Sequence, residues 1–173
     1  VVGDHHAALL YLDEAMAISE RINNIWGKAY SRGIRGWILF DLGQLGRAVD
    51  ELSLAAQEAQ EAGFLFGRVY TRLMLALTYS ELGMIEAALG AATEAVSLAT
   101  EQMAQLAVPS QALLLFLGVR AGRPDAPLAS RLGQHQDDDG MSNALQFYFL
   151  GLAMATWALH QGNAQEALTL SEA

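Results

Sequence analysis

Two groups of basic and aromatic residues recur at a fixed distance along the chain. The second group follows the first after forty residues, with residues of the same kinds in the same order: Lys28, Tyr30 and Arg32, then Arg68, Tyr70 and Arg72. Arginine and aromatic side chains are frequent anchors of protein–protein interfaces. The recurrence therefore predicts a binding surface for an acidic peptide. The alternative is that the aromatics belong to the core and the cations pair with helix carboxylates such as Glu20, Glu58, Glu61 and Glu101.

The other candidates for chemistry lack the partners that a catalytic or metal site requires. His5 and His6 are adjacent and point to different faces of a helix, whereas a zinc site needs three or four converging ligands. The acidic run Asp137–Asp139 lacks the alternate spacing and the closing glutamate of a calcium loop. Gly33–Gly36 has neither the spacing nor the preceding strand of a phosphate-binding loop. We therefore expect no metal, no cofactor and no catalytic residue.

Charge and hydropathy exclude further classes. The chain has 173 residues, with 19 Asp and Glu against 10 Lys and Arg, and a formal net charge of -9. Such a surface repels phosphate backbones, so direct binding of nucleic acid is not expected. The absence of cysteine excludes disulfides and thiolate metal sites. The most apolar stretch, Phe147 to Leu159, is shorter than the roughly 20 residues of a membrane helix. We expect a cytoplasmic protein.

A glycine followed by an alanine-rich run recurs along the whole chain. These glycines stand at positions 3, 43, 83, 122 and 162, so that each step is 39 or 40 residues. Self-similarity at a fixed period is the signature of a repeat architecture. Small residues also recur five and twelve residues after the glycine and seven before it, where two helices can approach closely: Ala8, Ala48, Ala88 and Ala167; Ala15, Ala55 and Ala95; Gly36, Ala76 and Ala155.

Each unit is predicted to contain two α-helices. Apolar residues recur three and four apart before the glycine, in 29–42 and 69–82, and after it, in 46–62 and 85–100, as one face of a helix requires. The glycine follows the last periodic residue, where a left-handed cap favours a residue without Cβ. No segment shows the alternation typical of a strand. The pattern predicts an all-α superhelix of antiparallel helix pairs, with about nine helices.

This pattern resembles tetratricopeptide repeats, in which small and large positions are arranged around a turn glycine. Leu12 and Leu52 occupy the position where the family carries an aromatic residue in its second helix, and Tyr79 occupies its first-helix tyrosine position. The unit is longer than the family's usual period of about 34 residues and lacks its closing proline. In this it is similar to the long-helix variant of bacterial regulators and kinesin light chains.

The resemblance implies a protein-interaction scaffold within a larger bacterial signalling or transcriptional regulatory protein. The alternative is a sensor that holds a peptide or small effector and controls an attached ATPase, cyclase or DNA-binding domain. The expected partner is a protein or peptide, including another domain of the parent chain, and neither nucleic acid nor a membrane. Mapped on the family, the groove has an aromatic floor with basic flanks and comprises Lys28, Tyr30, Arg32, Trp37, Phe40, Arg68, Tyr70, Arg72 and Leu77.

The array is expected to be a single domain over residues 1–173, cut from a longer protein and irregular in its fourth unit. Pro124 and Pro127 crowd the start of a helix there, and residues 133–141 are predicted to form a flexible loop. A repeat buries its apolar face against its neighbours, and natural arrays end in polar caps. The end units, at Ala7–Leu10 and Ala167–Leu170, are not polar. We therefore expect the chain to self-associate through its ends.

Overall fold

The chain folds into α-helices joined by tight turns. A computed structural model describes residues 4–135 and 144–172, and these residues contain nine α-helices, one short 3-10 helix (Ala104–Leu106) and no strand. The all-α prediction is confirmed. No helix in this part of the chain is long and apolar enough to cross a membrane. The α-helices are α1 His5–Arg21, α2 Ile25–Asp41, α3 Leu45–Glu61, α4 Leu65–Glu81, α5 Ile85–Gln102, α6 Ala107–Arg120, α7 Ala126–Gly133, α8 Ala144–His160 and α9 Ala164–Glu172.

The forty-residue repeat is visible in the helix boundaries. Helices α2 and α4 each have 17 residues and begin forty residues apart, at Ile25 and Leu65. Both start four residues before the predicted boundary, and the apolar pairs Ile25–Trp26 and Leu65–Phe66 continue the helical pattern across the glycine of the first turn. At α2 the N-terminus is fixed by Asn24, whose side chain accepts a hydrogen bond of 3.0 Å from the backbone N–H of Gly27.

A residue in the left-handed conformation ends most of these helices. Four of the predicted caps are confirmed, since Gly43, Gly83, Gly122 and Gly162 have φ between +68° and +80°. Gly63 ends the second helix of its unit in the same way, with φ of +62°. The turn between α1 and α2 has Asn23 in the same conformation, with φ of 54°. Gly3 lies outside the described residues. Because these turns are short, consecutive helices from α1 to α4 pack side by side and antiparallel.

The helices form two compact units, divided within α5 after Ala91. In the first unit, α2 packs against α1, α3 and α4, and α3 also packs against α4. The close approach of α2 and α3 depends on Gly36, where an added Cβ would lie 2.6 Å from Cγ of Leu52. The predicted small position is therefore confirmed at Gly36. The buried core of this unit includes Ala29, Leu39, Ala48, Leu52, Ala55, Val69, Leu73 and Ala76.

The second unit contains the irregular fourth repeat. Here α6 packs against α7 and α8, and α8 packs against α9. Helix α7 has only eight residues, and Asp125 caps it by accepting a hydrogen bond of 2.8 Å from the N–H of Leu128. Pro127 stands in the first turn, where its missing N–H costs nothing. A turn follows Gly133, and residues 136–141 of the predicted loop lie outside the described residues.

Candidate functional site

Six aromatic rings form a continuous row of contacts across α2 and α4. We call this row the aromatic surface, and its members are Trp26, Tyr30 and Trp37 of α2, and Phe64, Phe66 and Tyr70 in and before α4. Consecutive ring centroids are between 4.5 and 6.4 Å apart, from Trp26–Phe64 to Trp37–Tyr70. These separations are those of favourable aromatic pairs, each worth about 0.5–1.5 kcal/mol beyond the buried area.

Helical spacing explains why these rings meet. Trp26, Tyr30 and Trp37 are four and seven residues apart, which puts them on one face of α2. Phe66 and Tyr70 stand forty residues after Trp26 and Tyr30, and therefore occupy the same face of α4. Because α2 and α4 pack against each other, the two faces adjoin.

The aromatic surface has an exposed tier and a buried tier. The three rings of α2 are exposed by 49% at Trp26, 46% at Tyr30 and 42% at Trp37. Beneath them, Phe64 and Tyr70 are only 8% and 6% exposed. The buried ring of Phe64 contacts both Trp26 and Tyr30. These two exposed rings also stack on each other, with their centroids 5.7 Å apart and their planes at 5°. Large side chains are thus presented to solvent in fixed positions.

A slot opens in the aromatic surface at Gly33. The slot has an empty volume of about 230 Å³, including the solvent at its mouth, and room at its base for about one water molecule. Its walls are formed by Ala29, Tyr30, Gly33, Ile34, Phe64, Phe66, Gly67, Tyr70 and Thr71. The equivalent of Gly33 in the next repeat is Leu73, which is fully buried. The slot therefore exists because one repeat lacks the side chain that fills this position in the other.

The hydroxyl of Tyr70 is a buried polar group without a partner. Its oxygen has no hydrogen-bonding group within reach among the described residues. The neighbouring Thr71 hydroxyl, by contrast, donates to the carbonyl of Gly67 at 2.7 Å. Burial raises the pKa of Tyr70, and the charges of Tyr30 and Asp41 raise it further. The hydroxyl therefore stays protonated and is free both to donate and to accept a hydrogen bond.

The basic residues of α2 lie in a network of ion pairs. Lys28 Nζ is 3.1 Å from Glu20 Oε1 and 3.3 Å from Glu58 Oε1. Arg32 Nε is 3.0 Å from Glu58 Oε2, and its Nη1 is 2.9 Å from Glu51 Oε2. The ion-pair alternative is therefore confirmed for Lys28 and Arg32.

Two further groups complete this network, which we call the α1–α2–α3 ion-pair network. Arg35 pairs with Asp13 of α1, and its Nε lies 3.5 Å from Glu51 Oε1 of α3. The two remaining carboxylates that the sequence suggested take other partners, since Glu61 accepts from Gln57 and Glu101 accepts from Ser97.

The network raises the pKa of both cations that α2 contributes to the predicted groove, Lys28 and Arg32. Hydrogen bonds to Glu20 and then Glu58 raise the pKa of Lys28 above its ordinary value. For Arg32, burial alone would lower the pKa, but the hydrogen bonds and charges of Glu58 and Glu51 outweigh burial and raise it. Both side chains are thus held as cations whose charge is already neutralised by carboxylates.

The structure does not bring the basic and aromatic residues of α2 to one surface. Residues two apart on a helix point about 200° away from each other. Accordingly, Lys28 and Arg32 reach partners on α1 and α3, whereas Tyr30 contacts Phe64 at the start of α4. The aromatic floor is present, but its basic flanks on α2 lie on the other side of the helix.

The remaining predicted residues lie in varied environments. Phe40 is half-buried and Leu77 is 6% exposed. Arg72 Nη1 donates to the backbone carbonyl of Arg68 at 3.0 Å, while Arg68 Nε is buried without a hydrogen-bond partner among the described residues. Of the nine predicted residues, Tyr30, Trp37 and Tyr70 belong to the aromatic surface.

The sequence interpretation missed half of the aromatic surface. Trp26 and Phe66 carry a usable signal, since both are aromatic and stand forty residues apart, in phase with Tyr30 and Tyr70. Phe64 carries no such signal, because its equivalent is Asn24. Its ring enters the row because Gly67 lacks a side chain: an added Cβ there would collide with the Phe64 ring.

Among the described residues, no group of three or more His, Cys, Asp or Glu side chains is placed to hold a metal ion. The chain matches no protein-family model and no curated protein sequence.

Proposed function

We propose that this chain is a protein-interaction module of the tetratricopeptide kind, which binds a peptide segment on its aromatic surface. One observation carries the proposal: Trp26, Tyr30 and Trp37 are each more than 40% exposed although ring contacts hold them in place. Contiguous exposed apolar side chains are typical of interaction sites. Tryptophan and tyrosine are also the residues most enriched among interface hot spots.

The fixed position of these rings favours binding. A ligand that orders flexible side chains loses about 0.5–1.5 kcal/mol for each one it immobilises. The stack of Trp26 on Tyr30 and the edge contact of Trp37 with Tyr70 already restrict these rings in the free protein. Much of the ordering cost is therefore absent when a partner binds.

The size of the slot at Gly33 favours a peptide over a small effector. Sites for small molecules usually have volumes of about 300–1,000 Å³ and enclose most of the ligand. The slot reaches about 230 Å³ only when the solvent at its mouth is included. That space suits one side chain of a segment whose remaining residues lie across the exposed rings. As the family resemblance implies, we propose that the partner belongs to a bacterial signalling or regulatory assembly, or to the parent chain itself.

A selection experiment tests this proposal. The 173-residue chain is used to select binders from a random peptide library, and the dissociation constants of the selected peptides are measured for Tyr30→Ala and Trp37→Ala. We expect a loss of about tenfold or more in each variant, as for interface hot spots. The matched control is Tyr148→Ala, which removes a ring that is 56% exposed on α8. Peptides that bind Tyr30→Ala and Trp37→Ala as tightly as the control would refute the proposal.

A further inference from the structure

We infer that the segment bound by the aromatic surface is basic, and that one of its arginines lies over the slot at Gly33 and donates a hydrogen bond to the Tyr70 hydroxyl. This inference rests on the proposed function and gives it a ligand class. It replaces the acidic peptide expected from the sequence with a basic one. Three observations support it: the charges around the rings, the exposed faces of the rings, and the buried Tyr70 hydroxyl without a hydrogen-bond partner among the described residues.

The charges of α2 do not attract an acidic segment. The three cations that α2 contributes to the ion-pair network face four carboxylates of α1 and α3, so the network carries a net negative charge. The cations are Lys28, Arg32 and Arg35, and the carboxylates are Asp13, Glu20, Glu51 and Glu58. None of the six residues of the aromatic surface is charged, and the carboxylate of Asp41 is close enough to act on Tyr70. Because the chain has a net charge of -9, its electrostatic field favours the approach of a cationic partner.

The exposed rings suit a cation in particular. The face of a tryptophan or tyrosine ring attracts a cation placed within about 6 Å of its centroid. Tyr30 and Trp37 lie on either side of Gly33 along α2 and leave their rings partly open to solvent. Arginine fits this position better than lysine, because its planar guanidinium stacks on aromatic faces and is less strongly hydrated than an ammonium group.

The Tyr70 hydroxyl supplies the polar contact. Tyr70 is 94% buried and its ring lines the slot, while its oxygen is closed to solvent and has no partner among the described residues. Buried polar groups are normally hydrogen-bonded, so a hydroxyl without a partner next to the slot indicates a position for a ligand or a water molecule. A guanidinium has five N–H donors, and one of them can donate to this oxygen once its plane enters the slot between the rings.

Gly33 provides a probe of the slot that leaves the fold intact. A Cβ added at Gly33 would meet Thr71 Cγ2 and Tyr70 Cε1 at 3.7 Å, which is ordinary van der Waals contact. Gly33→Ala should therefore keep or raise the melting temperature, since alanine is the better helix former. The added methyl group nevertheless occupies the slot, and we expect it to weaken binding of the basic peptide by about tenfold.

The test starts from the peptides selected on the 173-residue chain. We expect enrichment of arginine and a loss of about tenfold or more when the key arginine is replaced by citrulline, its neutral isostere. Tyr70→Phe, which keeps the ring, should cause a similar loss for the arginine peptide and little change for a peptide with norleucine at this position, because norleucine has no N–H donor. This coupling distinguishes a hydrogen bond to the guanidinium from a general effect on folding.

The outcomes separate this inference from the proposed function. Selected peptides that need Tyr30 and Trp37 but are acidic or neutral would overturn the inference and leave the proposed function standing. The same holds if Tyr70→Phe or Gly33→Ala binds the arginine peptide as tightly as the unchanged chain. If no selected peptide depends on Tyr30 or Trp37, both fail.

Discussion

At the scale of single residues, the ion-pair network of α2 shows how one helix is tied to two neighbours. Its carboxylates stand seven residues apart on each flanking helix, Asp13 and Glu20 on α1 and Glu51 and Glu58 on α3. Seven residues are close to two helical turns, so each pair presents its charges along one line facing α2. Glu58 is shared by two cations and is only 15% exposed. One carboxylate of α3 thus binds two cations of α2.

Arg32 is the member of the network whose loss should cost most. Its side chain is 14% exposed and contacts two carboxylates of α3. Arg32→Met leaves Glu51 and Glu58 half-buried with one fewer cation, so we expect the free energy of unfolding to fall by about 1–3 kcal/mol. Urea denaturation measures this change. Arg47→Met is the control, because Arg47 is exposed and donates to the neutral side chain of Gln44, and its effect should stay within about 0.5 kcal/mol. Equal effects of the two substitutions would show that the network adds no stability.

Tyr70 should make the stability of the fold sensitive to alkaline pH. Its pKa is raised from 10.0 in the folded state, so the folded protein holds the proton that the unfolded chain releases. The contribution is fully present below pH 10.0 and is lost as the pH rises above that value. In Tyr70→Phe this alkaline loss should be smaller, while stability at neutral pH stays equal or rises because an unpartnered hydroxyl is removed. Denaturation measured at a series of pH values tests this, and parallel profiles above pH 10 would contradict it.

At the scale of elements, the turns determine where each helix ends. After α4, the N–H of Gly83 donates to the carbonyl of Ser80 at 3.1 Å, and that of Met84 donates to Tyr79 at 2.9 Å. This pattern uses the last free carbonyls of the helix and requires a left-handed residue between them. Gly83 provides it, with φ of +73°. The recurring glycine in the sequence is thus a backbone requirement of the helical hairpin.

A matched pair of glycine substitutions isolates this backbone effect. An added Cβ meets no atom within 4 Å at Gly83 or at Gly90, so neither substitution creates a clash. Gly83→Ala forces alanine into the left-handed region and should destabilise the fold by about 1–2 kcal/mol. Gly90 lies exposed within α5, where Gly90→Ala should stabilise by about 0.5–1 kcal/mol. Thermal denaturation of both variants measures the difference, and shifts of the same sign would be inconsistent with this assignment.

Elements were easier to predict from the sequence than contacts. The turn glycines and the small residue at Gly36 follow from a period that the chain repeats, so the helical hairpins could be foreseen. The pairing of Arg32 could be suggested but not decided, because its carboxylates lie 19 and 26 residues away and belong to another helix. Phe64 could not be identified, since its role depends on the missing side chain of Gly67 in the next turn. Periodicity fixes which face a residue occupies, but not which neighbour that face meets.

At the scale of the whole molecule, apolar exposure is unevenly distributed among equivalent helices. In the first unit, α3 packs against both α2 and α4 and has one exposed large hydrophobic residue, Leu54. Its equivalent α1 packs against α2 and exposes three such residues, Leu10, Tyr11 and Ile18, and Ile22 directly after the helix is exposed as well, all by between 41% and 71%. Tyr11, Ile18 and Ile22 are seven and four residues apart and therefore share one face. On an acidic chain, such an apolar face favours attraction between copies at short range, while their charges repel at long range.

Self-association through α1 should therefore depend on salt. Copies that each carry a charge of -9 repel one another at low ionic strength. At 0.1 M salt, the repulsion between charges more than about 10 Å apart is largely screened. We expect sedimentation equilibrium to show association that strengthens with salt and with protein concentration. Tyr11→Asp combined with Ile18→Asp should abolish it, because burying a carboxylate in an apolar contact is costly. Leu54→Asp, at a residue that is 48% exposed on α3, should leave association almost unchanged. A chain that stays monomeric at high salt and high concentration would exclude α1 as an association surface.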